Sequence, residues 1–157
     1  MADLLVHFAS AFVAARPLRD GRLRSVLYVG VCLPDLLYKS LHYLAGAPNW
    51  LCETTHAPLG LVPFCYVAGL LFEEEWRKRA FGALLGGSYL HLLFDLAKTY
   101  VGSGVIPWAF PFSMDTVELG WYAPEDTVYF MLPALAVMGL IELGSKLVNS
   151  RRASSPG

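Results

Sequence analysis

All four histidines of the chain, His7, His42, His56 and His91, lie in or beside apolar stretches, and Asp35 and Asp95 do the same. An ionisable side chain in such a stretch costs about 2.5–3.5 kcal/mol to place in hydrocarbon, so it usually lines a cavity, meets a partner or serves chemistry. Imidazole nitrogen and carboxylate oxygen are usual donors to a zinc ion, and the carboxylate charge offsets that of the cation where water is scarce. His91 and Asp95 stand four residues apart, which puts them on one helix face. Asp35 and His42, seven apart, also share a face. With His7 and His56 they make a candidate metal-ligating set. Blander readings stand beside it. Asp35 and Lys39 have the spacing of a helical ion pair, and His42 can be an interfacial side chain that snorkels. His56, next to Pro58, can cap the following helix, and His91 with Asp95 can be a structural hydrogen bond. Cys52, four residues before His56, has a spacing some metal sites use, but packing is the commoner role of a lone thiol.

These residues must be positioned by apolar elements. The 157 residues are 55% hydrophobic and 16% charged, with a mean hydropathy of +0.47. A net charge of −1 argues against nucleic acid as a partner. Three cysteines, Cys32, Cys52 and Cys65, form no disulfide framework. Five apolar segments are legible: 2–15, 26–44 (broken by Pro34, Asp35 and Lys39), 57–72, 80–101 and 127–148. A spanning helix needs about 20 apolar residues, so the first and third segments are expected as half-spans or tilted helices. The reading is an all-α polytopic membrane bundle of about five helices over residues 1–149, with a disordered tail at 150–157. If the segments alternate in direction, ten of the 12 basic residues fall on one side, which is then cytoplasmic. The aromatic-rich stretch 102–126 would lie on the other side as an interfacial belt. Counting about 1.5 Å per residue, His7, Asp35, His91 and Asp95 lie roughly 12, 13, 16 and 22 Å from the basic ends of their segments. They share one layer, in the middle to outer half of the bilayer.

The motifs A-D-L-L-V-H-F, C-L-P-D, T-T-H-A-P-L-G, G-S-Y-L-H-L-L-F-D and P-F-S follow one another in order, and E-D-T-V-Y-F-M-L-P opens the last apolar segment. Together they resemble the bacterial inner-membrane-bound metal-dependent hydrolases. The order His, Asp, His, H-x-x-x-D is also similar to that of the zinc-dependent phospholipase C and nuclease group. The resemblance implies that Asp35, His56, His91 and Asp95 hold one metal and that His7 helps hold a second, with Asp95 bridging. Asp35 and Asp95 would then be the catalytic carboxylates. The chain lacks a further His cluster after Asp95, which leaves a third metal without ligands. Ala57 stands where relatives carry a small hydroxyl residue.

The expected function is a membrane-bound hydrolase that cleaves a phosphoester of a lipid or lipid-linked substrate with one or two divalent ions, most simply zinc. Asp35 would orient the nucleophile, and Trp108 and Ser113 would shape the mouth of the site. Mixed nitrogen and oxygen ligands also accept manganese or iron. Two rival readings are a transport or proton-relay protein and a membrane scaffold whose metal is wholly coordinated by protein. Roles for His42, Cys52 and Asp126 are not set by the sequence.

Overall fold

The structure, a computed structural model, describes residues 2–99 and 106–153. The described chain is helical: α1 (Ala2–Ala15), α2 (Gly21–Lys39), α3 (Asn49–Glu53), α4 (Pro58–Gly69), α5 (Glu74–Leu96) and α6 (Thr127–Ala153). A π-helical turn, Ser40–Leu44, prolongs α2, and a 3-10 turn, Thr54–His56, joins α3 to α4. The five long helices match the five apolar segments, and α3 is an addition inside the connection after α2.

Local chemistry sets the boundaries. Asp20 caps α2, its carboxylate accepting from the backbone N–H groups of Arg22 at 2.9 Å and Leu23 at 3.3 Å. Pro58 occupies the first turn of α4, where its missing N–H is no loss. Glu74 and Glu75 lie in the first turn of α5, favourably placed against the helix dipole. α5 therefore starts six residues before the apolar run that marks it in sequence, and α2 starts five before. α6 continues through Ala153, past the expected start of the tail. The stretch from 145 to 153 holds no Gly or Pro to stop it, while 154–157 lie outside the described residues.

The closest packing is between α2 and α5. A Cβ on Gly87 would sit 2.3 Å from the Leu27 carbonyl oxygen, and one on Gly30 would sit 2.4 Å from that of Leu84. The Ser88 hydroxyl donates to the Gly30 carbonyl across this contact at 3.0 Å. Val26, Leu33, Cys65, Ala80, Ala83 and Leu84 form the adjoining core between α2, α4 and α5. Contacts advance together along α2 and α5, from Gly30 with Leu84 to Asp35 with His91, so these helices run parallel. At the opposite end of the bundle Arg22 pairs with Glu73 and lies over Trp76, and Arg16 pairs with Glu142. The connections α1–α2 and α4–α5 and the later part of α6 thus gather at one basic end, and the long helices alternate in direction.

Among the described residues no helix is long and apolar enough to cross a membrane. The all-helical bundle is as expected; spanning segments find no support in the helices themselves. Large apolar side chains are nonetheless widely exposed, among them Leu44, Leu71, Leu132 and Leu140.

Candidate metal centre

The five residues assigned from the sequence converge at the end of the bundle remote from the arginines. α1 supplies His7, α2 supplies Asp35, the 3-10 turn supplies His56, and α5 supplies His91 and Asp95. The tight α2–α5 contact at Gly30 and Gly87 lies one turn below, and it brings Asp35 Oδ1 to 3.8 Å from His91 Nε2. His56 Nε2 lies 3.6 Å from Asp35 Oδ1 and 3.8 Å from Asp95 Oδ2. His91 Nε2 lies 3.0 Å from Asp95 Oδ2. Donors 2.0–2.1 Å from a tetrahedral zinc ion would be about 3.3 Å from one another. Asp35, His56 and His91 each turn a donor atom to within 4.8 Å of the other two, close enough to share one ion, with Asp95 at the edge of this trio.

Protonation points the same way. The buried Thr55 hydroxyl donates its proton to the Cys52 carbonyl at 2.7 Å. Its oxygen, 3.1 Å from His56 Nδ1, must then accept from that nitrogen. His56 is thereby held as the Nδ1–H tautomer, and its bare Nε2 lone pair faces two carboxylate oxygens. Among the described residues the Nδ1 of buried His91 meets no hydrogen-bond partner, and its Nε2 is turned to Asp95 Oδ2 at 3.0 Å. Ring nitrogen lone pairs turned toward carboxylate oxygens are repelled unless a proton or a cation lies between them, and a divalent ion fits the donor set.

Each aspartate keeps its second oxygen for a lysine. Asp35 Oδ2 accepts from Lys39 Nζ at 3.0 Å, so the ion pair read from the sequence and the ligand role coexist on different oxygens. Asp95 Oδ1 accepts from Lys98 and lies 3.3 Å from His7 Nε2, while Lys98 Nζ is 3.5 Å from the same His7 nitrogen. The His7 ring stacks on that of His91, with centroids 4.1 Å apart. His7, His91 and Asp95 thus form a second trio beside the first, as the two-metal expectation requires, but with a lysine between its members. His7, His91, Asp95 and Lys98 are buried, whereas the Asp35 side chain is 38% exposed and that of His56 15%. Approach is from the α2–α3 side.

His42 does not join the cluster. The π turn breaks the seven-residue register with Asp35, and His42 stacks on Tyr38, whose ring stands edge-on to His56 at 5.6 Å. Cys52 is buried, with its thiol directed at the Ala47 carbonyl, and joins neither trio among the described residues. Asp126 accepts from the Ala123 N–H at the turn before α6. Ser113 is tied to Asp115 in a local turn, and among the described residues the buried Trp108 indole N–H meets no hydrogen-bond partner and no contact draws either residue into the site.

Thr55 and Lys98 are the residues that sequence reasoning missed. Thr55 was signalled by adjacency to His56, and Lys98 by being a further charge in an apolar run, three residues after Asp95. Lys98 is fixed through its backbone as well. Residues 119–122 lie along the end of α5, with hydrogen bonds of 2.8 Å from Leu119 N–H to Leu96, from Trp121 N–H to Ala97 and from Thr99 N–H to Tyr122. Lys98 and Tyr122 form an isolated β-bridge there. Comparison with protein-family models, curated proteins and solved structures finds no match to this chain.

Proposed function

We propose that this protein is a metal-dependent hydrolase acting on a phosphoester of lipid or lipid-linked character at a bacterial inner membrane. The observation that carries this is the trio of donors Asp35, His56 and His91, mutually within 4.8 Å, with Asp95 beside His91 and the His56 tautomer fixed by Thr55. A divalent cation held there, zinc being the simplest, would polarise a phosphoryl oxygen and lower the pKa of water. Asp35, on the open side, orients the nucleophile. Asp95, His91 and His7 exclude solvent from behind.

A lipid substrate suits the surroundings. A cavity of about 820 Å³ lies between α1, α5 and α6, with a wall that includes Val6, Leu93, Phe94, Ala97, Phe130 and Met138. It is within the size range of small-molecule sites, and its hydrocarbon wall suits an acyl chain, while it lies across α1 and α5 from the open α2–α3 side of the metal centre. Phe94, on its inner side, stands edge-on to His7. Exposed leucines on α4 and α6 suit a protein embedded in lipid, since surfaces in water rarely leave so much hydrocarbon bare. The reading places the basic end in the cytoplasm and the metal centre in the outer half of the bilayer.

One observation favours a second reading. Asp95 Oδ2, 3.8 Å from His56 Nε2 and 3.0 Å from His91 Nε2, could close the shell of the Asp35, His56 and His91 trio as a fourth protein ligand, the pattern of a structural metal. The exposure of Asp35 and His56 on one side sets the two readings apart, because a catalytic ion needs an approach. The test is metal analysis of detergent-purified protein, beside hydrolysis of phospholipid vesicles and a chromogenic phosphodiester. The hydrolase reading expects bound metal and turnover, both lost in His91→Ala, with turnover lost in Asp35→Asn. Bound metal without turnover leaves the structural centre, and protein without stoichiometric metal refutes both.

A further inference from the structure

We infer that Lys98 supplies the second positive charge of this site, its ammonium taking the place between His7 and Asp95 that a second metal ion would need, so that the centre holds a single ion. The inference rests on the metal-centre reading above and deepens it.

Lys98 is 3% exposed, and its ammonium meets Asp95 Oδ1 and His7 Nε2, the two atoms that would anchor a second ion. An ion 2.0–2.1 Å from both atoms would lie within about 4 Å of that ammonium whichever side it took. Two cations so close, screened from water, repel strongly. The ammonium has little room to withdraw, because the Lys98 backbone is pinned by the bridge to Tyr122 and by the flanking Thr99 and Trp121 hydrogen bonds. The remaining donors are also shared out. His91 is shared between the two trios, so once its Nε2 serves the ion held with Asp35 and His56, a second ion is left only His7 and Asp95.

The arrangement gives Lys98 two effects. Its hydrogen bond to Oδ1 orients the Asp95 carboxylate so that Oδ2 points at the ion, which makes it a positioning residue. Its fixed charge also offsets that of the Asp95 carboxylate, and does so whatever metal is bound.

The experiment is equilibrium dialysis of the detergent-solubilised full chain against Zn²⁺, with metal counted by plasma mass spectrometry and helix content checked by circular dichroism. Wild type is expected to hold one ion per chain and His7→Ala still one, because His7 belongs to the Lys98 position. Folded Lys98→Met, with His7 and Asp95 Oδ1 released, takes up a second, weaker equivalent. Two ions in wild type falling to one in His7→Ala would overturn the inference while leaving the metal centre standing. A folded Lys98→Met that still holds one ion with unchanged affinity overturns it too. No ion in wild type removes the metal centre itself, and the inference with it. The wild-type and His7→Ala counts decide the matter even where Lys98→Met does not fold.

Discussion

Gly87→Ala adds one methyl group at the α2–α5 contact that sets the metal centre, and its effect can be worked from the structure. The new Cβ would lie 2.3 Å from the Leu27 carbonyl oxygen, 2.8 Å from the Val31 nitrogen and 2.9 Å from the Gly30 carbonyl carbon. These are backbone atoms, so no side chain can swing aside. The helices must part by about 1 Å to restore ordinary contact, and because only backbone atoms are met the strain lies in the upper part of the usual range, about 2–3 kcal/mol. Alanine returns about 1 kcal/mol of helix propensity, which leaves a net loss of about 1–2 kcal/mol. For a chain of this size that lowers Tm by about 2–8 °C. The same separation pulls Asp35 from His91, and a misplacement near 1 Å can cost on the order of 100-fold in a site that depends on geometry. Zn²⁺ affinity should therefore fall together with Tm. Gly82 and Gly86 lie on the same helix with nothing within 4 Å of a built Cβ, so Gly82→Ala and Gly86→Ala should each raise Tm by about 1–4 °C. Thermal unfolding followed by circular dichroism, with Zn²⁺ titration in the same detergent, measures all three variants. A Gly87→Ala protein at least as stable as wild type, or an equal loss in Gly86→Ala, would refute the argument.

Two further outcomes follow from the site. Thr55→Val removes the oxygen that fixes the His56 tautomer, so Zn²⁺ affinity should drop about 10- to 100-fold with the helices intact, and Thr55→Ser should keep most of it; calorimetric titration reads both. Chelation should lower the Tm of wild type, because an ion at 100 times its Kd stabilises by about 2.7 kcal/mol, and added Zn²⁺ should restore it; an equal shift on chelation in His91→Ala would show that the ion acts elsewhere.

The cluster was legible because His7, Asp35, His56, His91 and Asp95 stand out as ionisable groups in apolar sequence. A close contact between α2 and α5 was not, since Gly30 and Gly87 are two of 14 glycines and nothing local marks which pair of backbones will meet. Helix ends were misplaced for a physical reason. Hydropathy reports the solvent a segment prefers, whereas Glu74 to Arg79 and Arg22 to Arg24 are polar residues in helical backbone, held by caps and end charges. His42 went astray through a single π turn, which a fixed helical period does not anticipate. Lys98 looked like one more charge in a long apolar run, because its meaning depends on His7, which lies 91 residues away.

Every donor atom of the centre comes from the stretch between residues 7 and 95, and α6 contributes none among the described residues. α6 packs along α1 and walls the apolar cavity instead. The candidate ligands and the apolar cavity thus belong to different stretches of one small bundle. On the proposed reading, exchanging the last helix would reshape the cavity while the candidate ligands stayed as they were.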